Sequence, residues 1–313
     1  MKYLTITITA LSLLIMAENS QAQDLDPRAY ARFPVNLTLL VAGFSYSDGG
    51  VLIDPTLPIK DLHATVESTT IAVGHTFSLL HQTAQATIVM PFGWAQADAM
   101  INGQSQNATR SGFSDLRLRI SMLLFGAPAL TLAEFAKAQR RTTIGASLTI
   151  IAPTGEYFPD KLINLGTSRW SFKPELAISQ PFGNRWLIDL YAGIWFFTTN
   201  DSFYPGTSVR SQDPMGSFQA HLSYNIKPTM WVALDMTFYT GGMSTVDEVD
   251  MHDRQSNSRI GATMVFPLGR LNSVKMALST GAIIRYGADF TTLSVGWQRT
   301  FLGKQGKIVP KSN

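Results

Sequence analysis

The sequence predicts an all-β fold: a transmembrane antiparallel up-and-down β-barrel of about 12 strands with one short periplasmic helix. Three observations predict it. The chain opens with an export signal and holds no later stretch apolar enough for a membrane-spanning helix. Twelve segments of about ten residues alternate apolar with small, polar or charged residues. The connections between them alternate short and long.

Composition sets the frame. Of 313 residues only 15% are charged, well below the usual share of about a quarter in soluble domains. Aromatic residues make up 11% and Gly numbers 24. The formal net charge of +3 is too small to argue for nucleic acid, and no Lys/Arg run exceeds Arg140-Arg141. Cysteine is absent, which removes disulfides, thiolate metal sites and cysteine nucleophiles together. No cofactor or metal is expected from any motif.

At the N-terminus, Lys2 precedes the apolar run Leu4 to Met16, and Ser20-Gln21-Ala22 is a small-x-small site. These features predict a secretory signal over residues 1–22 and a mature barrel domain over 23–313. The apolar run is too short to span a bilayer as a helix, which takes about 20 residues. An exported chain without such a helix enters a membrane only as a closed barrel, because lipid satisfies no backbone polar group.

The strands are expected near 36–47, 65–78, 83–95, 112–124, 141–153, 169–181, 186–198, 214–227, 230–241, 257–267, 273–286 and 290–301. In Trp170 to Ser179, WSFKPELAIS, one parity holds Trp170, Phe172, Pro174, Leu176 and Ile178. The other holds Ser171, Lys173, Glu175, Ala177 and Ser179. A soluble sheet would turn the apolar set into a core; a membrane barrel turns it to lipid and encloses Lys173 and Glu175. Pro174 lacks the N–H that a ladder needs, so a local bulge or bend is expected beside it. The runs 230–241, 273–286 and 290–301 show the same two-faced pattern.

From a periplasmic N-terminus, tight turns are expected around Leu80–Gln82, Gly183–Arg185, Pro228-Thr229 and Gly269–Asn272. Long polar outer loops are expected at Asp48–Ala64, Gln96–Ser111, Thr154–Ser168, Thr199–Asp213 and Gly242–Ser256, with a short one at Gly287–Asp289. Such alternation is the barrel habit. The connection Gly126 to Arg141 is too long for a turn. Thr131 with Glu134 three residues on forms a capping box, and a helix over Leu132–Gln139 is expected. It serves either as a connector on the rim or as a partial plug or partner-docking element. Trp94, Trp170, Trp186, Trp231, Trp195 and Trp297 fall near predicted strand ends or within an inner half, as aromatic belts do. Parity turns Trp195 and Trp231 inward.

GFSDLRLRISMLLFGAPALTLAEF (Gly112 to Phe135), TTIGASL (Thr142 to Leu148), APTGEY (Ala152 to Tyr157), DKLINLGTSRWSFKPELAIS (Asp160 to Ser179) and YTGG (Tyr239 to Gly242) follow one another along the chain. In order and spacing they resemble the family described as "putative MetA-pathway of phenol degradation". The resemblance implies an outer-membrane channel or transporter for hydrophobic or aromatic small molecules, linked to phenol degradation. It implies no catalytic or ligand residues. One departure is the tail after Leu302, where barrels of this kind often end on an aromatic residue.

Parity nominates the inward, lumen-lining charges Asp115, Arg117, Arg119, Lys173, Glu175, Asp189, His221, Asp235, Lys275 and Arg285. They form either a solute filter or an ion-pair network filling a narrow barrel. An enzyme acting on lipids is the contrasting reading, since some barrels carry a Ser/His pair. His75 shares parity with Ile71, Val73 and Phe77, as an interfacial aromatic would, and no G-x-S-x-G occurs. A non-conducting structural barrel is the third reading. TVDEVDMHDR (Thr245 to Arg254) clusters acids without an EF-hand spacing and is read as a solvated acidic loop, a metal or lipopolysaccharide-cation site being the contrasting reading. Expected partners are the lipid bilayer, lipopolysaccharide and small hydrophobic or aromatic solutes, with the bacterial outer membrane as location.

Overall fold

The computed structural model describes residues 25–52, 59–101, 103–161 and 163–303. The expected signal segment and the tail from residue 304 onward lie outside the described residues. Among the described residues, seventeen strands and one helical turn follow in order. They are β1 (Leu37–Leu52), β2 (Ile59–Leu79), β3 (Gln82–Ile101), β4 (Gln104–Phe113), β5 (Leu116–Phe125), α1 (Leu132–Phe135), β6 (Thr143–Ala152), β7 (Ser171–Phe182) and β8 (Trp186–Phe197). Then come β9 (Asn200–Phe203), β10 (Ser208–Gln212), β11 (Met215–Lys227), β12 (Met230–Gly241), β13 (Ser244–Val246), β14 (Val249–Asp250), β15 (Gln255–Pro267), β16 (Asn272–Ile283) and β17 (Gly287–Leu302).

With β4 and β5 counted as one interrupted strand, twelve antiparallel strands close into a barrel. β1 seals it against β17 along its whole length, from Leu37 opposite Leu302 to Leu52 opposite Gly287. Closure removes the sheet edges that lipid would leave unsatisfied. Every expected strand is present, several of them longer than expected. Among the described residues no helix is long and apolar enough to cross a membrane.

The two faces fall as lipid requires. Leu176, Leu234, Ile260, Leu278 and Leu293 stand exposed on the outside, whereas Ser171, Lys173, Glu175, Ser179, Asp189, His221 and Asp235 are buried inside. Trp94 and Trp170 are exposed toward the long-loop end, and Trp186 and Trp297 toward the short-turn end. Trp195 points inward and is fully buried, and Trp231 lines an internal cavity.

Four expectations need correction. The segment 96–111 is no loop: β3 and β4 pair continuously from Phe92 opposite Phe113 to Ile101 opposite Gln104. Polar residues there pair across the hairpin, as Asn107 does with Asp98, so the ladder continues without the apolar alternation that marks a lipid-facing strand. The loops 199–213 and 242–256 join in a four-stranded sheet, β14-β13-β10-β9, whose two- to five-residue strands are too short for a periodic signal. Helix α1 stops at Phe135. Its capping box is present, but none of its residues is buried, so nothing offsets the cost of ordering a longer helix. Finally, Pro174 causes no bulge. The register of β7 on β8 is the same on both sides of it, from Phe172 opposite Phe196 to Glu175 opposite Gly193. The ladder opens at Lys173 and Pro174 and resumes.

The break between β4 and β5 falls at Ser114-Asp115. β5 pairs with β6 from Leu116 opposite Ala152, while β4 pairs with β3. The loop 153–170 lies against the other edge of β4: Glu156 N–H donates to the Phe113 carbonyl at 2.8 Å and Arg110 Nε to the Ile163 carbonyl at 3.0 Å. Gly155 and Gly166 touch backbone to backbone there, and a Cβ on either would sit under 3 Å from the other. The GFSD, PTGE and LGTS stretches thus meet in one knot.

Candidate functional site

The site is the lumen. Residues 25–36 do not hang free at the barrel mouth; they run into the interior and cross it before β1 begins. Leu25 approaches Gly261 of β15, where a Cβ would sit 2.5 Å from Leu25 Cδ1. Asp26 pairs with Lys275 of β16 at 3.1 Å. Arg28 stacks its guanidinium over the Trp231 ring of β12 at 4.3 Å. Tyr30 is fully buried against β5, β6, β7 and β8. The segment leaves through Val35 N–H on the Leu130 carbonyl and Asn36 N–H on the Thr76 carbonyl. The connection 126–142 supports it from below, with Arg32 donating to the Gln139 carbonyl and stacking on Phe135 of α1.

Sequence reasoning missed this segment. Its signal was present: DLDPRAYARFPV sets Leu25, Tyr30, Phe33 and Val35 among Arg28 and Arg32, a mixture suited to an interior that is itself charged.

The nominated charges separate into groups. Tyr30 Oη donates to Glu175 Oε1 at 2.9 Å and shares a bond with Ser147 Oγ at 2.6 Å. Glu175 also pairs with Lys173 at 3.0 Å, and Arg119 lies 4.0 Å away with its guanidinium over the Tyr30 ring at 4.8 Å. Lys173 sits over Trp195 at 5.2 Å. A second group spans three neighbouring strands. His221 of β11 lies opposite Asp189 of β8 and Asp235 of β12. Its Nδ1 meets Asp235 Oδ1 at 2.7 Å, and Thr263 donates to Asp235 Oδ2 at 2.6 Å. Arg117 is half-buried on the inner face of β5. Charges taken out of water are tolerated only when paired and hydrogen-bonded; Glu175 and Asp235 meet that condition, whereas Asp189 is buried with no hydrogen bond to either carboxylate oxygen.

Asp115 has another task. It accepts from Gly155 N–H at 2.9 Å, Thr167 N–H at 2.9 Å and Thr167 Oγ1 at 2.6 Å. It thereby holds the loop 153–170 against the strand break. Arg285 is not a lumen residue. β16 ends at Ile283, so the alternation stops before it, and Arg285 is exposed in the turn to β17 beside Tyr286.

His75 faces outward and meets Thr38 Oγ1 at 3.0 Å. In the acidic loop, Asp247 accepts from Val209 N–H at 2.8 Å, Asp250 from Thr245 Oγ1 at 3.0 Å, and buried Asp253 from Ser244 N–H at 2.7 Å. These carboxylates brace the small outer sheet; Asp247, Glu248, Asp250 and His252 are exposed, as a solvated loop has them, and Asp253 is buried. Among the described residues no group of three or more His, Cys, Asp or Glu could hold a metal ion.

Beside the N-terminal segment lies a cavity of about 850 Å³. One wall is that segment; the other is the inner face of β1, β15, β16 and β17, with Gly43, Ser45, Ser279, Thr292 and Ser294. At the long-loop end the interior turns apolar, with Val51, Leu62, Ile163 and Phe290 on one side and Ile151, Trp195, Met215 and Tyr239 on the other.

An outer membrane channel from Pseudomonas putida F1 is similar in structure, with a TM-score of 0.77 at 22% identity over 89% of this chain and 100% of that one. The transport unit of the autotransporter AIDA-I from Escherichia coli is similar at TM-score 0.56 and 9% identity, over 93% and 97% of the two chains. The β domain of the Bordetella autotransporter BrkA follows at TM-score 0.51 and 11% identity, over 85% and 100%. At these identities the likeness shows the fold. Among curated proteins none matches. The family model described as "Putative MetA-pathway of phenol degradation" matches residues 43–300. That span runs from the first strand to the last, and the chain belongs to this family.

Proposed function

We infer that the protein is a channel of the bacterial outer membrane that passes hydrophobic or aromatic small molecules, in keeping with the phenol degradation named by its family. The observation that carries this reading is the cavity of about 850 Å³ inside a closed barrel. Its size falls in the range of small-molecule sites, about 300–1,000 Å³, and it lies between the short-turn end and the apolar outer half of the lumen. The lipid bilayer and lipopolysaccharide are the surroundings that the exposed apolar band and the outer loops meet.

The experiment is uptake into vesicles whose outer leaflet is lipopolysaccharide, because phenol crosses plain phospholipid unaided. Radiolabelled phenol should enter faster with the protein than without it. Equal rates with and without protein refute the reading. A second reading, a non-conducting barrel, is favoured by one observation: the segment 25–36 obstructs the lumen. Planar-bilayer recordings separate the two, since a structural barrel shows no current steps.

A further inference from the structure

We propose that Arg28 and Trp231 form a binding site for an aromatic anion, of the aryl carboxylate class, in the lumen cavity. The proposal rests on the uptake reading and narrows its substrate class. Four observations carry it. Both residues line the cavity, and the guanidinium lies 4.3 Å above the indole. Nε and Nη2 of Arg28 are buried without a hydrogen-bond partner. These nitrogens form one edge of the guanidinium, the fork that a carboxylate accepts from side-on. Buried donors are nearly always satisfied, so this edge lacks the acceptor that its chemistry calls for. Arg28 also sits at φ 68°, a region that non-glycine residues rarely occupy. The backbone therefore holds the side chain against Trp231 at a conformational cost.

Charge balance points the same way. Arg28, Arg32, Arg270 and Lys275 line the cavity, and Asp26 is the carboxylate among its lining residues, already paired with Lys275 at 3.1 Å. The carboxylate that bears on Arg28 from the wall is Asp189; it does not hydrogen-bond the fork, and its own two oxygens are likewise buried without a hydrogen bond. A ligand carboxylate takes the fork as the Arg28 terminal torsions turn it toward the open volume. Held edge-on, the ligand lies in the guanidinium plane and its ring extends past the guanidinium beside the Trp231 indole, whose face holds the guanidinium by a cation–π contact.

The test is a titration of the mature protein in micelles with 4-fluorobenzoate, read by ¹⁹F NMR line broadening. Saturable binding is expected. Arg28→Ala should weaken it at least about tenfold, the scale of lost charge-assisted hydrogen bonds. Trp231→Leu should weaken it too, while Asp189→Asn, which removes a competing negative charge, should tighten it. Each variant is first checked for the heat-modifiable gel shift of a folded barrel. Unchanged binding in folded Arg28→Ala, or fluoroacetate competing as well as benzoate does, overturns the proposal. Phenol uptake into the lipopolysaccharide vesicles is measured alongside. Phenol uptake without fluorobenzoate binding refutes this site and leaves the channel reading standing. Binding without uptake supports the site and refutes the channel.

Discussion

Gly145 on β6 faces the ring of Tyr30, and an added methyl there tests whether the N-terminal segment gates the lumen. An ideal Cβ at Gly145 would stand 2.5 Å from Tyr30 Cδ1 and 3.2 Å from Cε1. Carbon atoms pack best at about 3.5–4.0 Å, so the ring must retreat by about 1 Å. It has little room to do so. Its hydroxyl is fixed by Glu175 and Ser147, its carbonyl by Thr143 Oγ1 at 2.9 Å, and the Tyr191 ring sits 4.9 Å away, edge to face. Overpacking of this kind costs about 1–3 kcal/mol. The cost falls on the state with Tyr30 seated, so Gly145→Ala should raise the unseated-to-seated ratio about 5- to 150-fold. Planar-bilayer recordings should show open events more frequent by that factor. The methyl also approaches Leu123 Cδ2 at 3.1 Å, so a double-mutant cycle assigns the effect: in a Tyr30→Ala background the glycine substitution should add little. Open frequency unchanged in a folded Gly145→Ala barrel, or a full effect without the Tyr30 ring, refutes the reasoning.

Asp235→Ala removes the acceptor of both His221 and Thr263. Leaving such buried partners uncompensated should cost about 3–5 kcal/mol of barrel stability, measured by urea unfolding in micelles; a loss under about 1 kcal/mol refutes the network. Asp115→Ala removes three hydrogen bonds that hold the loop 153–170. Limited proteolysis should then cut within 153–170 while the barrel fragment stays folded, and equal resistance to wild type counts against the knot. Glu134 is held below its ordinary value of 4.5 by hydrogen bonds from the backbone and side chain of Thr131. A depressed carboxyl adds stability above its unfolded value and loses it as pH falls through the lowered folded value. Protection of the Phe135 amide, which donates to the Thr131 carbonyl, should therefore persist below pH 4.5 and then decline; a midpoint at or above 4.5 contradicts it.

The wall was legible because lipid enforces strict alternation. Lys173 and Glu175 could be placed inside from parity alone, and both are buried there. Parity also placed Trp195 and Trp231. It misled at Arg285, where alternation in the sequence outlasts the strand. The capping box at Thr131 marked where α1 begins, but the end of a helix depends on tertiary contact, which the local sequence does not carry. The contacts of Asp115 join residues 40 and 52 positions apart, beyond any periodic signal. The N-terminal segment escaped notice because it is neither strand nor helix, and its fit depends on partners as far away as Lys275, 249 positions along the chain.

The buried contact of Tyr30 with Glu175 says what kind of interior this is. A channel full of water would leave Lys173 and Glu175 hydrated; here they are 4% and 5% exposed, and the filling is protein. A buried carboxylate demands donors, and one of the donors to Glu175 is Tyr30 Oη. The segment and the wall are therefore one electrostatic structure. Removing the segment strips Glu175 of a donor and leaves Lys275 without Asp26. Unplugging stays affordable only if water enters as the segment leaves, rehydrating Glu175 in the same step. Opening and wetting of the lumen should be a single transition, and conductance and solvent exposure of Tyr30 should rise together in Gly145→Ala.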